Sequence, residues 1–246
     1  AARGELIMGN DLGKEMRAEE SQRVSGGDDV GLREYVRRIY NYMAGGLALT
    51  GAVAYLGAST GFYRSIVGTP LFWVVLFAPL ALVMFLSFRI ERIGFGTAQV
   101  SFWAYAALVG LSLSGIFLVY TGESIARVFF ISAATFGATS LYGYSTRADL
   151  SRFGSFLFMG LIGIIIAGFV NLFLVSSALQ FVVSVIGVLV FTGLTAYDTQ
   201  RIKRIYIAGE EGEIAGKKAI MGALALYLDF LNLFLMLLRL FGSRRS

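Results

Sequence analysis

Cysteine and histidine are both absent from the 246 residues, and proline occurs only twice, at Pro70 and Pro79. Without thiols or imidazoles there is no disulfide, cysteine nucleophile, Cys/His zinc site, serine–histidine triad or axial haem histidine. Charge is scarce as well: Asp, Glu, Lys and Arg make up 15% of the chain, against about 25% in a typical soluble domain. A water-soluble enzyme is thereby excluded. What fills the chain is apolar, 57% of it, gathered in blocks long enough to cross a bilayer. The formal net charge of +5 does not point to nucleic acid, because Lys and Arg beside membrane spans are expected for topology.

Residues 1–34 stand apart. They hold thirteen charged side chains, from Arg3 to Glu34, and no apolar run longer than three. Such a stretch buries too little surface to offset its ordering entropy, so it reads as a disordered cytoplasmic tail ahead of a membrane domain over residues 35–246.

Seven apolar segments follow: Tyr40–Thr60, Pro70–Phe88, Ala98–Tyr120, Ser124–Tyr144, Phe153–Leu174, Ala178–Ile205 and Lys217–Phe241. Each is close to the roughly 20 residues that a spanning helix needs. Short connections between them predict an all-α bundle of antiparallel neighbours. Pro70 marks a helix start, and Pro79 is expected to kink that helix. Gly110, Gly115, Gly160, Gly163 and Gly168 are expected to let helices approach closely, and Asn171 and Asn232 to bind neighbouring helices.

Alternate connections differ in basic residues. The tail and the second, fourth and sixth connections together carry sixteen Lys and Arg, whereas the first and third hold only Arg64 and Arg127. The rule that basic loops stay inside puts the N terminus in the cytoplasm. Seven crossings then leave Arg239, Arg244 and Arg245 outside, against that rule. Either the last segment re-enters without crossing or it spans; spanning is the expectation, because the segment is long enough and late charges weigh less.

Two acidic residues fall well inside the apolar segments, Asp198 and Asp229. A charge at the bilayer centre costs about 2.5–3.5 kcal/mol on insertion scales, and such residues usually face a bundle interior or water. Between them runs IAGEEGEIAG (Ile207–Gly216), a polar, glycine-rich turn. At a rise of about 1.5 Å per residue, Asp198 lies roughly 10 Å before Ile205 and Asp229 roughly 17 Å beyond Lys218. The two levels differ by little more than one helical turn, so contact is permitted.

Two carboxyls that meet in a poorly solvated site cannot both ionise cheaply, so they would share a proton and change charge with pH. With histidine absent, no ordinary neutral-pH titrating side chain competes with them. Ionised, they would attract a cation. Calcium prefers six to eight oxygens, so two carboxylates make a weak transit site rather than a tight store, with no tightly bound cofactor. Arg89 and Arg92, at the end of the second segment, are candidate cationic partners for Asp198. No nucleophile or metal constellation accompanies the aspartates, so an enzyme is not expected.

AYDTQRIK (Ala196–Lys203), ALALYLDFLNLFLMLLRLFG (Ala223–Gly242), SFRIER (Ser87–Arg92) and the segment Ala98–Ser114 closely resemble the transmembrane Bax inhibitor motif family, also called Bax-inhibitor-one-like. The likeness covers about residues 33–242, and the chain looks like a bacterial member. It implies seven helices with the last one central, in a bacterial inner membrane. It further implies a pH-sensitive calcium leak whose two-aspartate sensor matches Asp198 and Asp229. The family's arginine latch matches Arg92, or Arg89 after a small shift in alignment. Some bacterial relatives are linked instead to modulation of membrane quality-control proteases, which makes a protease-binding regulatory protein the alternative. A proton-coupled transporter ranks last, because no internal repeat is visible.

Overall fold

A computed structural model describes residues 2–207 and 212–245, with side chains from residue 30 onward. The tail expected over residues 1–34 therefore lies almost wholly outside the described side chains. Among the described residues the chain forms nine helices: α1 (Ala2–Ser59), α2 (Phe62–Ile66), α3 (Pro70–Arg89), α4 (Phe95–Leu113), α5 (Ile116–Val119), α6 (Gly122–Ser145), α7 (Ser151–Leu174), α8 (Ser177–Ile205) and α9 (Glu213–Phe241). Six stretches are long and apolar enough to cross a membrane, with α4 and α5 counted together as Phe95–Val119. They match six of the seven expected segments closely. The other, Tyr40–Thr60, is the C-terminal part of α1 and does not reach the same apolarity. Asn41, its tyrosines and its glycines dilute it, and it packs within the bundle against α4 and α9. The third expected segment is also not one helix. It breaks at Ser114 and Gly115, between α4 and α5.

Local chemistry sets the boundaries. Pro70 opens α3, where its missing N–H is not needed. Thr121 and Ser176 cap α6 and α8 by accepting bonds from Ser124 N and Leu179 N, both at 3.3 Å. The end of α7 is fixed by Asn171, whose Oδ1 accepts from Ser176 N at 3.0 Å beside Val175 in the left-handed region (φ 47°). Asn171 thus ends its helix and ties it to Ser176, the N-cap of the next helix, α8. Asn232, by contrast, bonds within its own helix, donating to Leu228 O at 2.8 Å. Gly110 does permit a close approach, its missing Cβ lying 2.6 Å from Thr50 O, whereas at Gly163 and Gly168 an added Cβ meets nothing within 4 Å.

Helix α3 continues through Pro79 without a break. Proline cannot donate to the carbonyl four residues earlier, so Val75 O loses its helical partner. Ser112 of α4 replaces it, donating from Oγ at 2.7 Å. In a hydrocarbon environment no water is present to do this, so the serine ties α3 to α4.

Helix α9 is the interior element. Of its most apolar stretch 67% is buried, against 6% for α7. Small residues at Gly216, Ala219, Gly222 and Ala223 let neighbouring helices close on it, which in lipid stands in for a hydrophobic driving force. Four helices, α1, α4, α6 and α8, pack on it; α3 lies against α4, and α7 against α8. The expected ring of six is thus a ring of four with two helices outside it. These outer helices are apolar on every side and leave Phe77, Leu80, Phe156 and Phe169 exposed, as a lipid-facing surface requires.

Both ends of α9 are tied down. At its start Lys217 Nζ donates to Ile93 O at 3.2 Å, in the connection between α3 and α4. Past its end Arg245 N donates to Val119 O at 2.9 Å, Thr121 N to Ser243 O at 3.0 Å, and Ser243 N to Ser124 Oγ at 2.8 Å. Helix α9 therefore runs parallel to α4 and α5 for their whole length. It does not turn back within the bundle.

Removing the donor that serves Val75 should weaken the α3–α4 contact. Ser112→Ala is expected to cost about 1–3 kcal/mol, the penalty for an unsatisfied buried polar group. Thermal unfolding of the detergent-solubilised protein measures it, and an unchanged midpoint contradicts the role of Ser112.

Candidate functional site

Asp198 sits on α8 and Asp229 on α9, the two arms of the last hairpin. The two helices pack against each other, and the two carboxyl groups lie within hydrogen-bonding reach. Asp229 is buried, at 5% exposure, while Asp198 is half-buried. No described donor reaches Asp229 Oδ2. Two bare carboxylates offer acceptors only, so a hydrogen bond between them requires one proton held by the pair.

Helix α8 reaches this position because Gly143 of α6 faces Ala196. A Cβ on Gly143 would lie 2.2 Å from Ala196 O, so the backbones of α6 and α8 are in direct contact two residues before Asp198. The following turn is held by polar contacts on its other faces. Thr199 Oγ1 bonds Ser140 Oγ at 3.0 Å, and Ser140 Oγ in turn bonds Tyr40 OH. Gln200 Oε1 accepts from Leu150 N at 2.9 Å, and its Nε2 donates to Ala148 O at 2.8 Å. One helical turn is thereby pinned to α6, to α1 and to the loop before α7. Asp198 is left free to face α9.

The pair lies at the floor of a cleft of about 1000 Å³. One wall comes from α3, with Leu76 and Leu80, and the other from α7, with Phe158 and Met159; Asn232 and Arg201 share the floor with the aspartates. The walls are apolar and exposed, so the cleft gives onto the lipid-facing surface. Among the described residues no group of three or more Asp, Glu, Cys or His forms, so the site offers a cation two carboxylates at most. That falls short of the six to eight oxygens calcium prefers.

Arg89 and Arg92 are not brought to the aspartates. Both are exposed, at the end of α3 and in the connection after it, and neither lines the cleft. The cation that does lie beside Asp198 is Arg201, close enough for direct electrostatic attraction. Its signal was present in the sequence. A residue three positions after Asp198 shares its helical face, although its position at a span end also suits a topological charge.

A family model described as inhibitor of apoptosis-promoting Bax1 (Bax1-I) matches residues 32–246. An uncharacterized protein of Rickettsia prowazekii is 51% identical over 219 residues, which cover 89% of this chain and 93% of that protein. Inner membrane protein YbhL of Escherichia coli K12 is 48% identical over 219 residues, covering 87% and 94%. An uncharacterized membrane protein of Streptococcus pyogenes is 37% identical over 217 residues, with coverage of 87% and 94%.

The close approach of α6 and α8 is open to a direct check. Gly143→Ala forces the two backbones apart and is expected to cost about 1–3 kcal/mol, as overpacking of a tight contact does. A thermal midpoint equal to that of the parent protein contradicts the contact.

Proposed function

Because this chain belongs to the Bax1-I family of integral membrane proteins, we propose that it is a pH-sensitive, calcium-permeable leak channel gated by the Asp198–Asp229 pair. The observation that carries this reading is the contact of two carboxyls on adjoining helices at the floor of a cleft. With one proton the pair holds a single negative charge. Without it, two like charges crowd a weakly solvated site, attract a cation and push α8 and α9 apart. Proton binding thus biases two helix arrangements, as a switch requires.

Arg201 already balances Asp198 in the arrangement described here. Arg89 and Arg92 enter the reading as latches through a second arrangement, in which the end of α3 moves over the last hairpin. Seven crossings, with Tyr40–Thr60 as the first and a cytoplasmic N terminus, complete the topology. The tethering of α9 at opposite connections supports its being a full crossing. The membrane is read as a bacterial inner membrane, by likeness to the E. coli relative.

The test is calcium flux into proteoliposomes over a pH series, with the parent protein and the Asp198→Asn, Asp229→Asn double variant. One shared proton allows flux to change by at most about tenfold per pH unit. The parent protein should show such a dependence, and the double variant should lose it. Equal, pH-independent flux from both overturns gating by the pair, and flux no greater than that of protein-free liposomes overturns the channel reading and leaves regulation of a membrane protease as the function to examine.

A further inference from the structure

A second cavity, of about 400 Å³, lies away from the aspartates. Tyr144, Arg147, Asp149, Gln200, Lys203 and Arg204 line it. It sits where three spans end on one side: α6 stops at Ser145, α7 starts at Ser151 and α8 stops at Ile205. That is the depth of lipid headgroups.

The cavity is built rather than merely lined with surface charge. Gln200, at 8% exposure, bonds both Ala148 O and Leu150 N and so fixes the loop that forms one wall. Lys203 Nζ donates to Tyr144 O at 3.2 Å and lies 5.1 Å from the centre of the Tyr144 ring, which orients its charge. Asp149 is the one acid in the lining. Its carboxylate accepts from Ser151 N at 3.0 Å and from Arg204 Nη1 at 3.0 Å, and Arg204 also donates to Ser151 Oγ. The Ser151 bonds, with Arg204 adding to them, hold this carboxyl below the usual carboxylate range, so it remains ionised and occupied by Arg204 at neutral pH. Arg147 has no ion-pair partner among the described residues. Arg147 and Lys203 therefore supply two positive charges that no acid in the cavity balances.

We propose that this cavity binds the phosphodiester of an anionic lipid headgroup. Basic pockets between helices at the membrane boundary suit such groups, with guanidinium and ammonium donors directed at phosphate oxygens. The first turns of α7 carry exposed Phe153 and Phe156, which provide an apolar surface for the attached acyl chains. Headgroup depth and this adjoining surface favour a lipid over a free phosphate ion.

The full-length protein in neutral detergent is titrated with phosphatidylglycerol, with phosphatidylcholine and with inorganic phosphate, and its unfolding midpoint is followed. Phosphatidylglycerol is expected to raise the midpoint and phosphatidylcholine is not, since a ligand that binds only the folded state stabilises it. The rise should disappear in Arg147→Gln, Lys203→Gln and persist in Arg64→Gln, a charge in the connection between α1 and α3. If the double variant does not fold, Arg147→Gln alone serves, because that side chain has no described partner to lose. An equal rise in the parent and the Arg147 variant, or loss of the rise in Arg64→Gln as well, overturns the site. A rise produced by inorganic phosphate overturns the lipid as its occupant.

Discussion

An aspartate at 5% exposure inside an apolar bundle must have its charge answered or neutralised by something within reach, and the carboxyl that lies beside Asp229 is that of Asp198. An isolated ionised carboxylate in such surroundings carries a very large solvation penalty. In the proposed reading the pair removes much of it with one proton and leaves the remaining charge to Arg201. This constraint orders the rest of the molecule. Helices α8 and α9 are in register, α6 holds α8 through Gly143, and Thr199 and Gln200 prevent the turn that carries Asp198 from rotating away.

The bundle around the pair has two kinds of helix. Helix α9 is buried, has small residues along its first half and is tethered at both ends. Helices α3 and α7 are outer, lipid-facing elements, each packed on one inner neighbour. A cleft floored by the inner helices and walled by the outer ones can change width when α3 or α7 moves. Pro79 belongs to this division. It leaves a carbonyl free in α3, and Ser112 turns that defect into a link with α4.

Much of this was legible in the sequence. Six spans could be bounded within a few residues because spanning lengths and polar connections are strong signals. Asp198 and Asp229 stood out because carboxyls are costly in such segments, and their placement about one turn allowed them to meet. Other features were not legible, for identifiable reasons. Ser114 and Gly115 are ordinary residues within a membrane helix, so the break between α4 and α5 gives no local sign. Asn232 bonds along its own helix and Asn171 bonds the N-cap of the next one, two outcomes that residue type alone does not distinguish. Arg201 lies at a span end, where arginine has an equally good topological reason to occur, and only the cleft separates its two roles. The clamp formed by Gln200 spans 50 residues of chain and exists only once α7 and α8 are adjacent.

The central claim is that Asp198 and Asp229 hold one proton between them, and carboxyl infrared spectroscopy of the reconstituted protein tests it most directly. The account predicts a protonated-carboxyl band near neutral pH that either single Asn substitution shifts or removes and that the double substitution abolishes. Absence of such a band in the parent protein, or a band indifferent to the double substitution, contradicts it.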